Sequence, residues 1–102
     1  MKPVTVINRL AIKPGKMDEF IDAQRNFATA LMKKPNGLIG GRMYRSIDGK
    51  SAVLVSQFAS ESAQEDIRQS DAFKQHVNQL QVLIESASPS LYEEAYTAGD
   101  FK

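Results

Sequence analysis

Asn8 is the polar residue that a strand pattern places where chemistry is possible. Val4, Val6, Leu10 and Ile12 are the other members of its alternating face, so we expect the amide on the side of the strand that packs against helices. A buried amide without partners costs about 1–3 kcal/mol. Asn8 is therefore either a hydrogen-bond donor to a bound molecule or an amide that a helix end or the backbone satisfies.

His76 is the only histidine in the chain and lies beside an apolar stripe that contains Phe73, Val77 and Leu80. Its spacing of three from Phe73 allows it to face a cavity between a helix and the sheet. An unperturbed imidazole titrates near about pH 6.5, which suits a general base. The alternative is a half-exposed helix histidine without a chemical role.

Aromatic and basic side chains provide candidates for a binding pocket. Phe20, Phe58 and Phe73 could form walls suited to a flat aromatic ligand, although aromatic stripes at helical spacing also build ordinary cores. Arg42 and Tyr44 share one face of a predicted strand and could bind a phenolate or a carboxylate. For these two the alternative is a solvated pair or a pair at a dimer interface.

The composition argues against several other kinds of site. One histidine, no cysteine and no clustered carboxylate motif leave too few ligands for a metal site built by the protein. Phosphate-binding glycine motifs and a serine nucleophile elbow are also absent. A net charge of +1 without a basic stripe argues against nucleic acid as a partner. No export signal or long apolar run is visible, so we expect a cytoplasmic protein that does not bind membranes.

The first half of the chain contains a strand and a helix that must position these residues. Residues 4–12 alternate like a half-buried strand, which Lys13-Pro14-Gly15 ends. Asp18 and Glu19 favour the first turn of a helix that continues to about residue 33. Pro35-Asn36-Gly37 then predicts a firm stop.

The second half predicts a hairpin, two helices and a last strand. The hairpin covers residues 38–46 and 50–58, and Asp48-Gly49 between them predicts a type I′ turn. A short helix follows, and Ser70-Asp71 offers the start of a second one. Residues 91–95 are expected to form the last strand, with residues 97–102 as a tail.

This order, β-α-β-β-α-β, predicts a single α+β domain over residues 1–102 with a ferredoxin-like fold and a four-stranded antiparallel sheet. The helices would cover one face of that sheet. The other face would carry Ile7 and Ala11, which are too apolar for full exposure. We therefore expect a homodimer that pairs through the sheet face, because a two-fold contact needs only one patch.

Several segments resemble the antibiotic biosynthesis monooxygenase family. They are a Pro35-Asn-Gly step into a strand that ends in Tyr44-Arg-Ser, the hairpin, an aromatic residue at Phe58 before Ser60-x-x-Ala, and a helix start at Ser70-x-x-Phe. The resemblance covers about residues 3–96. It implies a dimeric α+β barrel and, by analogy with characterised members, oxidation of a phenol or quinol by dioxygen without metal or flavin.

The resemblance also implies roles for individual residues. His76 would be the base and Asn8 the donor to the developing oxyanion, while Phe20 and Phe58 would shape the cavity. The family often has tryptophan where this chain has Phe58, so the aromatic wall is kept and the indole donor is lost.

Two alternatives of other classes follow from the same comparison. A haem-degrading branch of the family is similar at Asn8-Arg9-Leu10, but its tryptophan and histidine positions fall on Ile67 and Val77 here. The similarity at Asn8-Arg9-Leu10 makes haem the alternative to a protein without a cofactor. A non-catalytic module that binds a small aromatic molecule is the other alternative.

Overall fold

The computed structural model describes residues 2–101, so Met1 and Lys102 of the expected 1–102 domain lie outside the described residues. The described residues form four strands and three helices. They are β1 (Val4–Ile12), α1 (Met17–Leu31), β2 (Leu38–Arg45), β3 (Ser51–Phe58), α2 (Glu61–Arg68), α3 (Asp71–Leu80) and β4 (Ile84–Tyr92).

The strands form one antiparallel sheet in the order β2-β3-β1-β4. With two helical connections, this order makes an α+β ferredoxin-like fold, as the sequence predicted. The second connection contains two helices, α2 and α3. Serines begin both: the amide of Ala63 donates to Ser60 Oγ at 3.1 Å, and the amide of Phe73 donates to Ser70 Oγ at 3.2 Å.

The pairing register assigns each strand residue to one of two faces. Asn8 pairs with Leu54, and Leu54 pairs with Met43, so these three side chains share the face that the helices cover. Ile7 pairs with Val55 on the opposite side. We call that side the open face. It carries Thr5, Ile7, Arg9, Ala11, Val53, Val55, Arg42, Tyr44 and Tyr92.

The last strand is longer than the sequence predicted. It begins at Ile84, whereas residues 91–95 were expected, and it ends at Tyr92. The prediction was wrong because the run Ser86-Ala-Ser-Pro-Ser90, with one proline and three serines, has the composition of a break between elements. β4 is an edge strand of the sheet, where a proline is tolerated because one row of backbone donors has no strand to pair with.

The hairpin turn also differs from the prediction. Both central residues of a type I′ turn need positive φ, but within residues 2–101 only glycines have it, so Asp48 does not. The amide of Gly49 donates to Ser46 O at 3.0 Å, and Gly49 itself has φ +75°. The carboxylate of Asp48 accepts a hydrogen bond from Ser46 Oγ, and this contact stabilises the turn.

A cluster of buried apolar side chains joins the helices to the sheet near one end of the interface between them. The packed residues, which we call the core end, are Leu10, Ile12, Phe20, Ala52, Leu80 and Leu83. Phe20 is 0% exposed and lies at its centre. None of the helices within residues 2–101 is long and apolar enough to cross a membrane.

Candidate functional site

An open cleft of about 1600 Å³ separates the middle of the sheet from helices α1 and α3. Val6 and Asn8 of β1 form part of its floor, and Phe27 and His76 of the two helices form part of its walls. Ligand pockets usually have about 300–1000 Å³. The cleft is therefore large enough for a flat ligand of several rings, and it is open to solvent.

Asn8 lies in the floor of this cleft and is half-buried. Its side-chain oxygen Oδ1 accepts a hydrogen bond from the amide of Ser88 in β4, at 3.1 Å. The backbone thus satisfies the acceptor, as one of the two interpretations of the sequence expected. The amide nitrogen Nδ2 has no bond of this kind within residues 2–101, so it remains able to donate to a bound molecule.

His76 lies in the wall of the cleft and is only 5% exposed. It is thus a buried residue, and the half-exposed helix histidine considered above is not what the structure contains. Its Nε2 lies 2.7 Å from Gln24 Oε1 on α1. Its ring stacks on Phe27, with centroids 4.0 Å apart and an interplanar angle of 6°. Burial lowers the pKa of His76 below its ordinary value because the charged form loses hydration, so the imidazole is neutral at pH 7.

The three phenylalanines expected to shape a pocket divide into two groups. Phe58 and Phe73 border the cleft, and Phe73 also contacts Phe27 with ring centroids 6.2 Å apart. Phe20 is part of the core end and does not line the cleft. Phe20 thus packs within the core end and does not form a wall of the cleft.

Arg42 and Tyr44 belong to the opposite face of the sheet from Asn8. Arg42 and Tyr44 are among the residues of β2 that border the cleft at the sheet edge. The register gives Met43 the helix-covered face, so the side chains of Arg42 and Tyr44 extend from the open face. There Arg42 Nη1 donates to Tyr44 Oη at 3.2 Å. The sequence indicated that they share a face but not which face.

Gln24 is a site residue that the sequence analysis did not single out. It stands among the apolar residues of the α1 stripe, between Ile21 and Phe27. A polar residue within an apolar stripe was an available signal. Its partner His76 is 52 residues away, so no local pattern could pair the two.

Charged side chains lie at the rim of the cleft and mostly pair with one another. Arg25 and Asp22 are 3.4 Å apart, and Arg45 and Asp18 are 3.9 Å apart. The interior therefore offers neutral polar groups, an amide donor and an imidazole, between aromatic walls. Within residues 2–101, no group of three or more His, Cys, Asp or Glu residues is placed to hold a metal ion.

Solved structures share this fold at low sequence identity. SnoaB, a cofactor-independent oxygenase from Streptomyces nogalater, has 21% identity and a TM-score of 0.84, with coverage of 95% of this chain and 97% of that one. Rv0793 from Mycobacterium tuberculosis has 21% identity and a TM-score of 0.80, with coverage of 96% and 100%. A candidate antibiotic biosynthesis monooxygenase from Nitrosomonas europaea has 16% identity and a TM-score of 0.80, with coverage of 95% and 94%.

Family membership follows from the sequence itself. No curated protein sequence matches the chain. The profile of one protein family does match, however, and it extends over residues 3–79, from the start of β1 almost to the end of α3. This segment contains Asn8, Gln24 and His76 together with three of the four strands. The chain belongs to the antibiotic biosynthesis monooxygenase family.

Proposed function

We propose that this protein is a cofactor-independent monooxygenase that oxidises a small aromatic phenol or quinol with dioxygen. The observation that carries the proposal is the open cleft in which a neutral imidazole and an amide donor lie between aromatic walls. The similarity in fold to SnoaB, described as a cofactor-independent oxygenase, supports it. Fold similarity alone does not specify a reaction, whereas the side chains of the cleft do favour one.

The first step is removal of the phenolic proton. A general base works best when it is unprotonated at the working pH and lies within hydrogen-bond reach of the proton. His76 meets the first condition because burial keeps its imidazole neutral. The apolar surroundings favour a flat aromatic substrate, and the resulting phenolate carries electron density on ring carbon.

The second step is reaction of that electron-rich carbon with dioxygen. A new carbon–oxygen bond gives a peroxide, and loss of the ring proton with cleavage of the O–O bond gives a quinone and water. One oxygen atom thus enters the product and the other leaves as water, and the substrate supplies all the electrons. The Nδ2 group of Asn8 donates to the oxygen on which negative charge develops.

Haem does not suit the cleft as well as an organic substrate. The positions expected for tryptophan and histidine in a haem-degrading relative hold Ile67 and Val77. We therefore propose that the reaction needs no cofactor.

Oxygen uptake with a panel of polycyclic phenols and hydroquinones tests this function. With isotopically labelled dioxygen, we expect one labelled atom in the quinone product. The variants His76→Gln and Asn8→Ala should each lower the rate by about 100-fold, within the range for loss of a general base or of an oxyanion donor. If no member of the panel is oxidised but one binds saturably, the protein is a non-catalytic binding module.

We also propose that a second copy of this chain covers the open face. This face carries the half-buried apolar residues Ile7, Val53 and Val55, beside the partly exposed Tyr44 and Tyr92. A two-fold contact would bury them on both copies at once. Sedimentation of Val55→Asp against wild type tests this, because the variant should sediment as a monomer if the face pairs.

A further inference from the structure

Gln24 and Phe27 hold the imidazole of His76 from two directions. They are three residues apart on α1, so both side chains lie on the face of that helix that meets α3. Phe27 stacks on the ring at 4.0 Å and restricts its tilt. Gln24 Oε1 lies 2.7 Å from Nε2 and restricts rotation within the ring plane.

The hydrogen bond also determines which ring nitrogen carries the proton. An amide oxygen can only accept, so Nε2 must be the donor in the neutral imidazole. The lone pair is then on Nδ1. Among residues 2–101 no buried side-chain nitrogen or oxygen lacks a hydrogen-bond partner, and the bond to Gln24 engages only Nε2. Nδ1 is therefore accessible, and His76 borders the cleft.

We propose that Gln24 is a positioning residue that holds His76 in the Nε2–H tautomer, so that Nδ1 is the atom that takes the substrate's proton. This inference rests on the proposed function for its role in the reaction. The tautomer itself is a property of the free protein. It can therefore be tested whether or not a substrate is known.

An amide suits this role better than a carboxylate would. A carboxylate beside Nε2 would stabilise the imidazolium and raise the pKa of His76, as opposite charges do. The neutral amide orients the ring without favouring protonation. Charged groups on the neighbouring elements pair with one another or are exposed. They include Asp22 with Arg25 on α1, Glu65 with Arg68 on α2, Asp71 and Lys74 on α3, and Asp18 of α1 with Arg45 of β2. Glu19 of α1 pairs with Lys16, and Glu61 and Asp66 of α2 are exposed.

Nitrogen-15 NMR of the imidazole ring is the deciding experiment, carried out on the free protein at and above neutral pH. In the wild type we expect a protonated Nε2 and an unprotonated Nδ1. Gln24→Leu should give a mixture of tautomers. Gln81→Leu is the matched control, since Gln81 also lines the cleft but does not bond His76, and it should keep the wild-type pattern.

A second variant keeps the test decisive if Gln24→Leu does not fold. Gln24→Glu retains an acceptor at the same place, so the Nε2–H tautomer should persist while the midpoint of the His76 titration moves to higher pH. An Nδ1–H tautomer in the wild type would overturn the inference. So would an unchanged Nε2–H tautomer in Gln24→Leu, because the glutamine would then not be what selects it.

Activity measurements separate this inference from the proposed function. If a phenol or quinol is oxidised, Gln24→Leu should lower kcat by about 10-fold with little change in KM, since the base is misoriented but present. Oxidation without the tautomer preference would refute the role of Gln24 alone. The tautomer preference without oxidation of any substrate would refute the oxygenase and leave the positioning of His76 by Gln24 established.

Discussion

The two ends of the space between the helices and the sheet are packed differently, although Leu10 and Leu80 belong to both. At the core end, Leu10, Phe20 and Leu80 close the gap with apolar side chains. One step along β1, at Asn8, the same layers stand apart around a cleft bordered by His76. The core end therefore stabilises the packing of the helices on the sheet, whereas the cleft leaves space between them.

The largest expected effect is on stability, at the core end. Phe20→Ala removes a completely buried ring and should lower the free energy of unfolding by about 3–5 kcal/mol. Phe73→Ala, in the half-buried wall of the cleft, should lower it by about 1 kcal/mol because much less apolar surface is lost. Urea denaturation of both variants measures the difference. Equal losses would mean that the cleft wall is as much a part of the core as Phe20.

The next largest effect is on activity, in the cleft, with little effect on stability. Asn8→Asp keeps an oxygen that can accept from the Ser88 amide, so the unfolding free energy should change by less than about 1 kcal/mol. It replaces the Nδ2 donor with negative charge, so the oxidation rate should fall by at least about 100-fold. Steady-state rates beside a thermal melt separate the two quantities. A rate unchanged in Asn8→Asp would remove Asn8 from the reaction.

A weaker effect is the pH dependence that His76 gives to folding. Its pKa is lowered in the folded protein, whereas the unfolded chain titrates near about pH 6.5. Between these values the unfolded state binds more protons, so stability should fall as the pH drops below about 6.5 and level off below the folded pKa. The slope cannot exceed about 1.4 kcal/mol per pH unit.

The variant His76→Gln tests whether His76 causes this pH dependence of stability. It keeps a polar side chain beside Gln24 but removes the group that titrates. Melting temperatures of wild type and variant should differ in their pH dependence below about pH 6.5. Parallel curves would show that another group is responsible.

The sequence predicts a feature of the fold or of the site well when that feature depends on residues close together in the chain. Alternation in β1 and the stop at Pro35-Asn36-Gly37 are local, and they predicted β1 and the break between α1 and β2. Pro89 misled the prediction of β4 because an edge position, which tolerates proline, is a property of the whole sheet.

The site was harder to predict because it joins distant segments. Spacing shows that Arg42 and Tyr44 share a face, but only the register of three strands shows that this is the open face. Likewise, the apolar stripe of α1 contains both Phe20 and Gln24, and only the packing shows which of them reaches the cleft. The contact between Gln24 and His76 closes a separation of 52 residues.

The smallest effect is expected from an exposed ion pair on α2, and it sharpens the interpretation of the pH dependence. Arg68 donates to Glu65 at 2.6 Å and lowers the pKa of Glu65 to about 2, yet both side chains are about half exposed. Since solvent screens such pairs, Glu65→Gln should barely move the melting temperature at neutral pH.

Because the folded pKa of Glu65 is depressed, its stabilising effect is present above the unfolded pKa of 4.5 and is lost only as the pH falls towards 2. Glu65→Gln should therefore leave the melting curve between about pH 5 and 7 unchanged. If Glu65→Gln instead abolished the fall in melting temperature between about pH 5 and 7, the pH dependence assigned to His76 in the cleft would arise from the surface of α2.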